Sequence, residues 1–239
     1  MNKLVIGALL DKINEYFIDT WLEHYKKYNP EKIVFMIESC GAEAYQKLID
    51  AGVECHFVGG PWYEGQVRTR LLKECQKYNP DWFFFTVADE IFEDKMLTEI
   101  HNLMNDPKYN WYAFRLIHFW ESELDYRVDG IWGVSTFNMD ICRLFRNNVL
   151  PEYDFGTNTM HGSAVPTGMR HTPGTRTDIR IKHYGAARPG SYNAKCLTRG
   201  KTYDVAREHA NVRTFKWDEA ETWAEQLAKW DAIKSDFGY

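Results

Sequence analysis

Residues 82–87, Trp-Phe-Phe-Phe-Thr-Val, are an uninterrupted strand-favouring run that stops on Ala88-Asp89-Glu90. A run without polar alternation predicts a strand buried on both faces, the usual state of a central parallel strand. Such a strand needs helices covering the sheet on both sides. Ligands of open α/β sheets bind beyond the carboxyl ends of the strands. Two carboxylates at positions 89 and 90 therefore stand where a divalent cation, and through it phosphate oxygens, would be held.

The flanking sequence supplies the helices. Residues 3–10 predict a first strand, and 15–28 an amphipathic helix ended by Asn29-Pro30. A second strand is expected over 32–37, a helix over 42–51 stopped by Gly52, and a third strand over 53–58. After Gly59-Gly60-Pro61, a helix over 66–78 ends at Asn79-Pro80 and leads into the central run. A further helix is expected over 94–104 and strands over 110–120 and 142–146. This order predicts an α/β fold, Rossmann-like, with a mostly parallel central sheet and helices on both faces. Gly, Pro, Asn, His and Trp enrich the second half, so an irregular C-terminal loop region is expected, most marked over 161–200. A terminal helix over 218–233 carries Trp223, Leu227 and Trp230 at i, i+4, i+7 spacing.

The net charge of −5 hides an asymmetry. Residues 1–159 carry 16 Lys and Arg against 25 Asp and Glu, whereas residues 160–216 carry 11 against 3. A basic block in an acidic chain suggests a face that meets several phosphates or a polyanion. The five cysteines are widely spaced with no CxxC, which fits a reducing, cytoplasmic setting and argues against a disulfide framework or structural zinc. The apolar residues 4–10 run straight into Asp11-Lys12 without a small-residue cleavage site, and read as a strand and not a signal peptide. No apolar stretch approaches membrane-spanning length.

Five motifs in order resemble those of the family 2 glycosyltransferases, enzymes of the GT-A fold. They are Lys12-Ile13-Asn14-Glu15 after the first strand, Gln66-Val67-Arg68-Thr69-Arg70, Val87-Ala88-Asp89-Glu90-Ile91-Phe92, Arg143-Leu144-Phe145-Arg146, and Ile181-Lys182-His183-Tyr184-Gly185. The resemblance spans about residues 3–200 and departs from the pattern at three points. Val87 stands where the first acid of the usual Asp-x-Asp would be. Glu38 is the acid near the end of the second strand. His161-Gly162 stands where a His-Glu pair is common. The resemblance implies one GT-A-like domain over 1–239. Within it, 1–106 would bind a nucleotide sugar, 107–216 would bind the acceptor and carry a basic lid loop, and 217–239 would form the closing helix.

It also implies sugar transfer from a nucleoside-diphosphate sugar, a UDP-sugar favoured, to an acceptor hydroxyl, with inversion. The departing diphosphate must be stabilised as its charge grows, by a cation and fixed cationic side chains. Asp89 and His183 are the expected metal ligands, and a mixed oxygen and imidazole set favours Mn2+ or Mg2+. Asn14, Glu15, Glu38, Arg68 and Asp89 would bind the donor. Arg68 would do so from the first turn of its helix, where backbone N–H groups favour anions. Arg188, Tyr192 and Lys195 would close over the phosphates.

Asp129, before Gly130 and near Trp132, is the expected general base, with His161 its rival. Trp120, Arg127 and Trp132 would contact the acceptor. The basic block suggests an anionic acceptor, hydroxymethylated bases in DNA being one candidate, reached by extruding the base from the stack. A glycan, a lipid-linked saccharide or a protein side chain competes for that place. Two other classes are weighed: a nucleotidyltransferase, for which Leu9-Leu10-Asp11-Lys12 lacks the glycine-rich phosphate loop, and a non-catalytic nucleotide-sugar-binding module, favoured by Val87.

Overall fold

A computed structural model describes residues 2–127, 141–156 and 165–190, and the backbone of 212–214. The chain divides into two compact units, Met1–Phe114 with Ile141–Ile179, and Arg115–Asp140 with Arg180–Tyr239.

The first unit alternates strand and helix. β1 (Leu4–Leu10) is followed by a short 3-10 turn and α1 (Ile18–Lys26), then β2 (Lys32–Ile37), α2 (Ala42–Asp50), β3 (Glu54–Phe57), α3 (Glu64–Gln76) and β4 (Trp82–Val87). β5 (Glu90–Phe92) and α4 (Lys95–Asn105) complete this stretch. Next come β6 (Trp111–Trp120), β7 (Asp125–Arg127), β8 (Ile141–Arg146), β9 (Gly174–Ala186) and β10 (Val212–Thr214). β6 and β9 contribute residues to both units.

In the first unit the sheet order is β8-β4-β1-β2-β3. β3, β2, β1 and β4 are parallel, and β8 is antiparallel to β4. Strand periodicity sorts the core into two faces. Val5, Leu9, Val34, Met36, Phe83 and Phe85 pack against Val67, Leu71, Leu72 and Cys75 of α3. The other face takes Trp21 and Tyr25 of α1, which stack on each other and meet Phe35 and Phe84. Phe83, Phe84 and Phe85 are all 0% exposed, so alternate rings serve opposite layers, and each contributes roughly 2–3 kcal/mol by burial. This is the α/β sheet that the apolar run demands.

In the second unit β6 and β7 are antiparallel through Phe119 and Tyr126, and β10 pairs antiparallel with β7.

Residues 174–186, expected as irregular loop, form the 13-residue strand β9. Its period-2 pattern is Thr175, Thr177, Ile179 and Ile181 alternating with Arg176, Asp178, Arg180 and Lys182. The cations and flanking glycines hid it. Its first position, 174, holds glycine because a Cβ there would fall 1.9 Å from the Trp111 ring. The terminal helix expected over 218–233 lies outside the described residues. Among the described residues no helix is long and apolar enough to cross a membrane, and four cysteines are free thiols.

Candidate functional site

β1 passes to β2 on one side and lies against β4 on the other, so the chain reverses its direction of winding between β1 and β4. At such a reversal, beyond the carboxyl ends of the two strands, open α/β sheets bind ligands. Leu9 and Val87 are register partners there, and Ala88 N–H donates to Leu9 O at 3.1 Å.

The segment after β1 is fixed by Asp11. Its Oδ1 accepts from the N–H groups of Ile13 (3.0 Å) and Asn14 (2.8 Å), which starts the 3-10 turn over Asn14–Phe17. Asn14 is buried within that turn. Glu15 accepts from Lys12 and from Gly41 N–H, tying the β1 loop to the start of α2. Glu38 follows β2, exposed, its N–H donating to Leu10 O at 2.9 Å. Asn14, Glu15 and Glu38 thus all lie at the carboxyl ends of β1 and β2.

After β4 the two acids part company. Arg143 of β8 donates from Nε to Glu90 Oε2 at 2.7 Å and from Nη2 to Oε1 at 2.5 Å, with both residues buried. Thr86 Oγ1 donates to Glu90 Oε2 at 3.3 Å, and the Tyr25 hydroxyl donates to Glu90 O at 2.9 Å. Burial lowers the Arg143 pKa and Glu90 opposes this, the net direction being upward. Glu90 therefore anchors the turn. Asp89, 1% exposed, stands just beyond the carboxyl end of β4. A buried carboxylate oxygen suits a hard divalent cation.

α3 begins at Glu64, two residues before the expected start, which moves Arg68 from the first turn to the second. The start of the helix packs on the 154–156 segment: residue 65 has room only for glycine, its Cβ position lying 2.3 Å from Gly156 O, and Thr69 Oγ1 accepts from Phe155 N–H at 3.0 Å. Arg68 is 3% exposed. Its Nε donates to Glu64 Oε1 at 2.9 Å and its Nη2 lies 2.8 Å from the same oxygen in an ion pair, while Nη1 is buried with no hydrogen-bond partner among the described residues. A buried guanidinium N–H left unsatisfied is a ready donor for an anionic oxygen. Arg70 points elsewhere and donates to Phe57 O.

In the second unit, His183 and His118 meet through their Nδ1 atoms at 2.9 Å with rings edge to face. The Arg127 guanidinium lies 4.5 Å from the centroid of Trp120, and both residues are buried. Arg188 is exposed after β9. Asp129, Trp132, His161, Tyr192 and Lys195 lie outside the described residues.

Sequence reasoning missed the anchoring roles of Asp11, Glu64 and Glu90. The i, i+4 spacing of Glu64 and Arg68 was a usable signal. The pairing of Glu90 with Arg143 spans 53 residues and had none.

The reversal of winding between β1 and β4, an acid closing β4, and an antiparallel β8 beyond it define an α/β protein of the GT-A fold. Solved structures similar to this chain share that fold, two of them over most of its length. Glucosyl-3-phosphoglycerate synthase from Mycobacterium tuberculosis, in complex with Mn2+, UDP and glucosyl-3-phosphoglycerate, is similar with a TM-score of 0.52 and 10% identity over 90% of this chain and 87% of that one. TarS 1–349 from S. aureus is similar with a TM-score of 0.50 and 11% identity over 98% of this chain and 72% of that one. Against TarS 1–349 in complex with UDP-GlcNAc, the match spans 45% of that chain. No protein-family model matches the sequence, and no curated protein matches it.

Proposed function

We propose that this protein is a glycosyltransferase that moves a sugar from a nucleoside-diphosphate donor, a UDP-sugar favoured, to an acceptor hydroxyl. The observation that carries this reading is the placement of Asp89, buried at the carboxyl end of β4 in the crevice beside β1. Its neighbour Glu90 is committed to Arg143. The complex of glucosyl-3-phosphoglycerate synthase with Mn2+ and UDP supports the same donor class and a divalent cation here.

Asp89 would hold Mn2+ or Mg2+, with His183 proposed as a second ligand on the strength of the sequence motif alone. A bound cation supplies charge neutralisation to the departing diphosphate. Arg68 offers its unsatisfied Nη1 to a phosphate oxygen, held in place by Glu64. Asn14, Glu15 and Glu38 frame the nucleotide side of the crevice. Arg188, Tyr192 and Lys195 are proposed to cover the donor. Asp129, with His161 its rival, is proposed to take the acceptor proton in an inverting transfer, and Trp120, Arg127 and Trp132 to contact the acceptor. The excess of cations over 160–216 favours an anionic acceptor in a cytoplasmic setting, hydroxymethylated DNA being one candidate.

The test is donor hydrolysis by the purified chain, with UDP- and GDP-sugars in Mn2+, Mg2+ or EDTA, with and without DNA carrying 5-hydroxymethylcytosine. Metal-dependent turnover of one donor, abolished by Asp89→Ala, is expected, with stimulation by the modified DNA. Stimulation by glycans or proteins instead would redirect the acceptor. Donor binding without turnover under every condition would overturn catalysis and leave a binding module.

A further inference from the structure

At the far edge of the first unit's sheet, three ligand-type side chains converge away from the Asp89 crevice. Glu54 and His56 are two apart on β3, so the strand's period of 2 places them on one side. Glu74 reaches the same point from the last turns of α3. His56 Nε2 lies 2.6 Å from Glu54 Oε1 and 3.5 Å from Glu74 Oε2. The three ligand atoms all lie within 4.8 Å of one another.

Two carboxylate oxygens aimed at one ring nitrogen are a poor use of hydrogen bonding. A neutral imidazole has a single N–H or lone pair at Nε2, and it can serve only one of the two oxygens well. The same three atoms are well used around one ion. Ligands at about 2.0–2.2 Å from a tetrahedral zinc-sized centre stand roughly 3.3–3.6 Å apart; the contact to Glu74 already has that spacing, and the one to Glu54 would open by under about 1 Å.

The Tyr78 hydroxyl holds Glu54 as an outer shell would, donating to Oε2 and leaving Oε1 facing His56. Lys77, 61% exposed, pairs with Glu74 Oε2 and would swing into solvent when an ion takes that oxygen. The side chains of His56, Glu54 and Glu74 are 24, 25 and 16% exposed, sheltered yet open to an ion from solvent.

We propose that Glu54, His56 and Glu74 form a second divalent-metal site, selective for a borderline ion such as Zn2+. One imidazole with two carboxylates suits zinc and its neighbours, whereas Mg2+ prefers oxygen ligands and keeps its waters. A water would complete the tetrahedron. The ion would staple the edge strand β3 to α3, the helix that carries Glu64 and Arg68 at its other end. The site is independent of sugar transfer.

The full chain is titrated with Co2+, followed by visible absorption, then with Zn2+, followed by thermal unfolding. The expected result is one equivalent of tetrahedral Co2+ displaced by Zn2+ and not by Mg2+, with a rise in Tm on adding Zn2+. His56→Gln and Glu74→Gln, at partly exposed positions, should each lose the band and the rise. Asp89→Asn and Cys55→Ser should keep both. Absence of the band and the rise in the unmodified protein would overturn the site, as would their persistence in both His56→Gln and Glu74→Gln. Their loss in Asp89→Asn would place the ion in the donor crevice, and their loss in Cys55→Ser would place it on a thiol. Either outcome also overturns the proposal.

Discussion

Arg143 of β8 closes on both carboxylate oxygens of Glu90, at 2.7 and 2.5 Å, directly behind the acid that ends the central strand. The pair is almost wholly withdrawn from water, with side-chain exposures of 5 and 2%. Removing one partner of such a pair leaves an uncompensated buried charge, at a cost of about 3–5 kcal/mol. Glu90→Gln should therefore lower the urea midpoint by that amount in free energy. A loss below about 1 kcal/mol would show that Arg143 finds another partner and that Glu90 is not the anchor.

Asp89 differs from Glu90 in what its loss should do. Asp89→Asn keeps the size and the hydrogen-bonding reach of the side chain but removes the charge a cation needs. Metal-dependent donor hydrolysis should fall by about a hundredfold or more, with a much smaller change in stability than Glu90→Gln produces. The two variants, compared in one unfolding and one activity assay, separate positioning from ligation. Equal loss of stability in both would put Asp89 among the anchors instead.

Much of this arrangement was legible in the sequence because it is local. The runs 32–37 and 82–87 became strands β2 and β4 with unchanged bounds, since uninterrupted apolar stretches with clear stops leave one solution. The crevice followed from strand order and from where the acids stand. What stayed hidden depends on contacts distant in sequence. Arg143 meets Glu90 across the sheet, and Gly156 presses on Gly65 at the start of α3. β9 was hidden for another reason: its outward positions are charged, and its alternation looks like a polar loop until Ile179 and Ile181 are seen to be buried.

Arg68 offers a sharper test of the donor reading. With Nε and Nη2 on Glu64 and Nη1 unsatisfied, the planar fork is what the position requires. Arg68→Lys keeps the charge and loses the fork, so KM for the donor should rise by about tenfold, the value of one lost hydrogen bond to a charged group. Steady-state kinetics at fixed metal would show it. An unchanged KM would remove Arg68 from the donor site.

Gly65 sits where α3 meets the Gly156 carbonyl, and a Cβ there would fall 2.3 Å from that oxygen. Neither backbone can yield as a side chain would. Gly65→Ala should cost about 1–3 kcal/mol by overpacking, despite alanine's better helix propensity. Because Arg68 lies one turn further on, donor KM should rise as well. A stabilised Gly65→Ala protein would mean that helix propensity outweighs the contact.

His24 is buried on α1 with Nε2 3.1 Å from the Tyr28 hydroxyl, and it should make the fold sensitive to acid. Burial pushes its pKa down from 6.5 to about 4, against the opposing pull of Asp94. Between those values the unfolded chain takes up a proton that the folded chain refuses. Stability is therefore full above about pH 6.5 and is lost as the pH falls toward 4, by about 3 kcal/mol for this group alone. His24→Phe fills the same space with a ring that cannot titrate. It should flatten the stability profile between pH 6.5 and 4, measured by urea unfolding across that range. A slope that survives the substitution would assign the acid sensitivity to the carboxylates and free His24 of it.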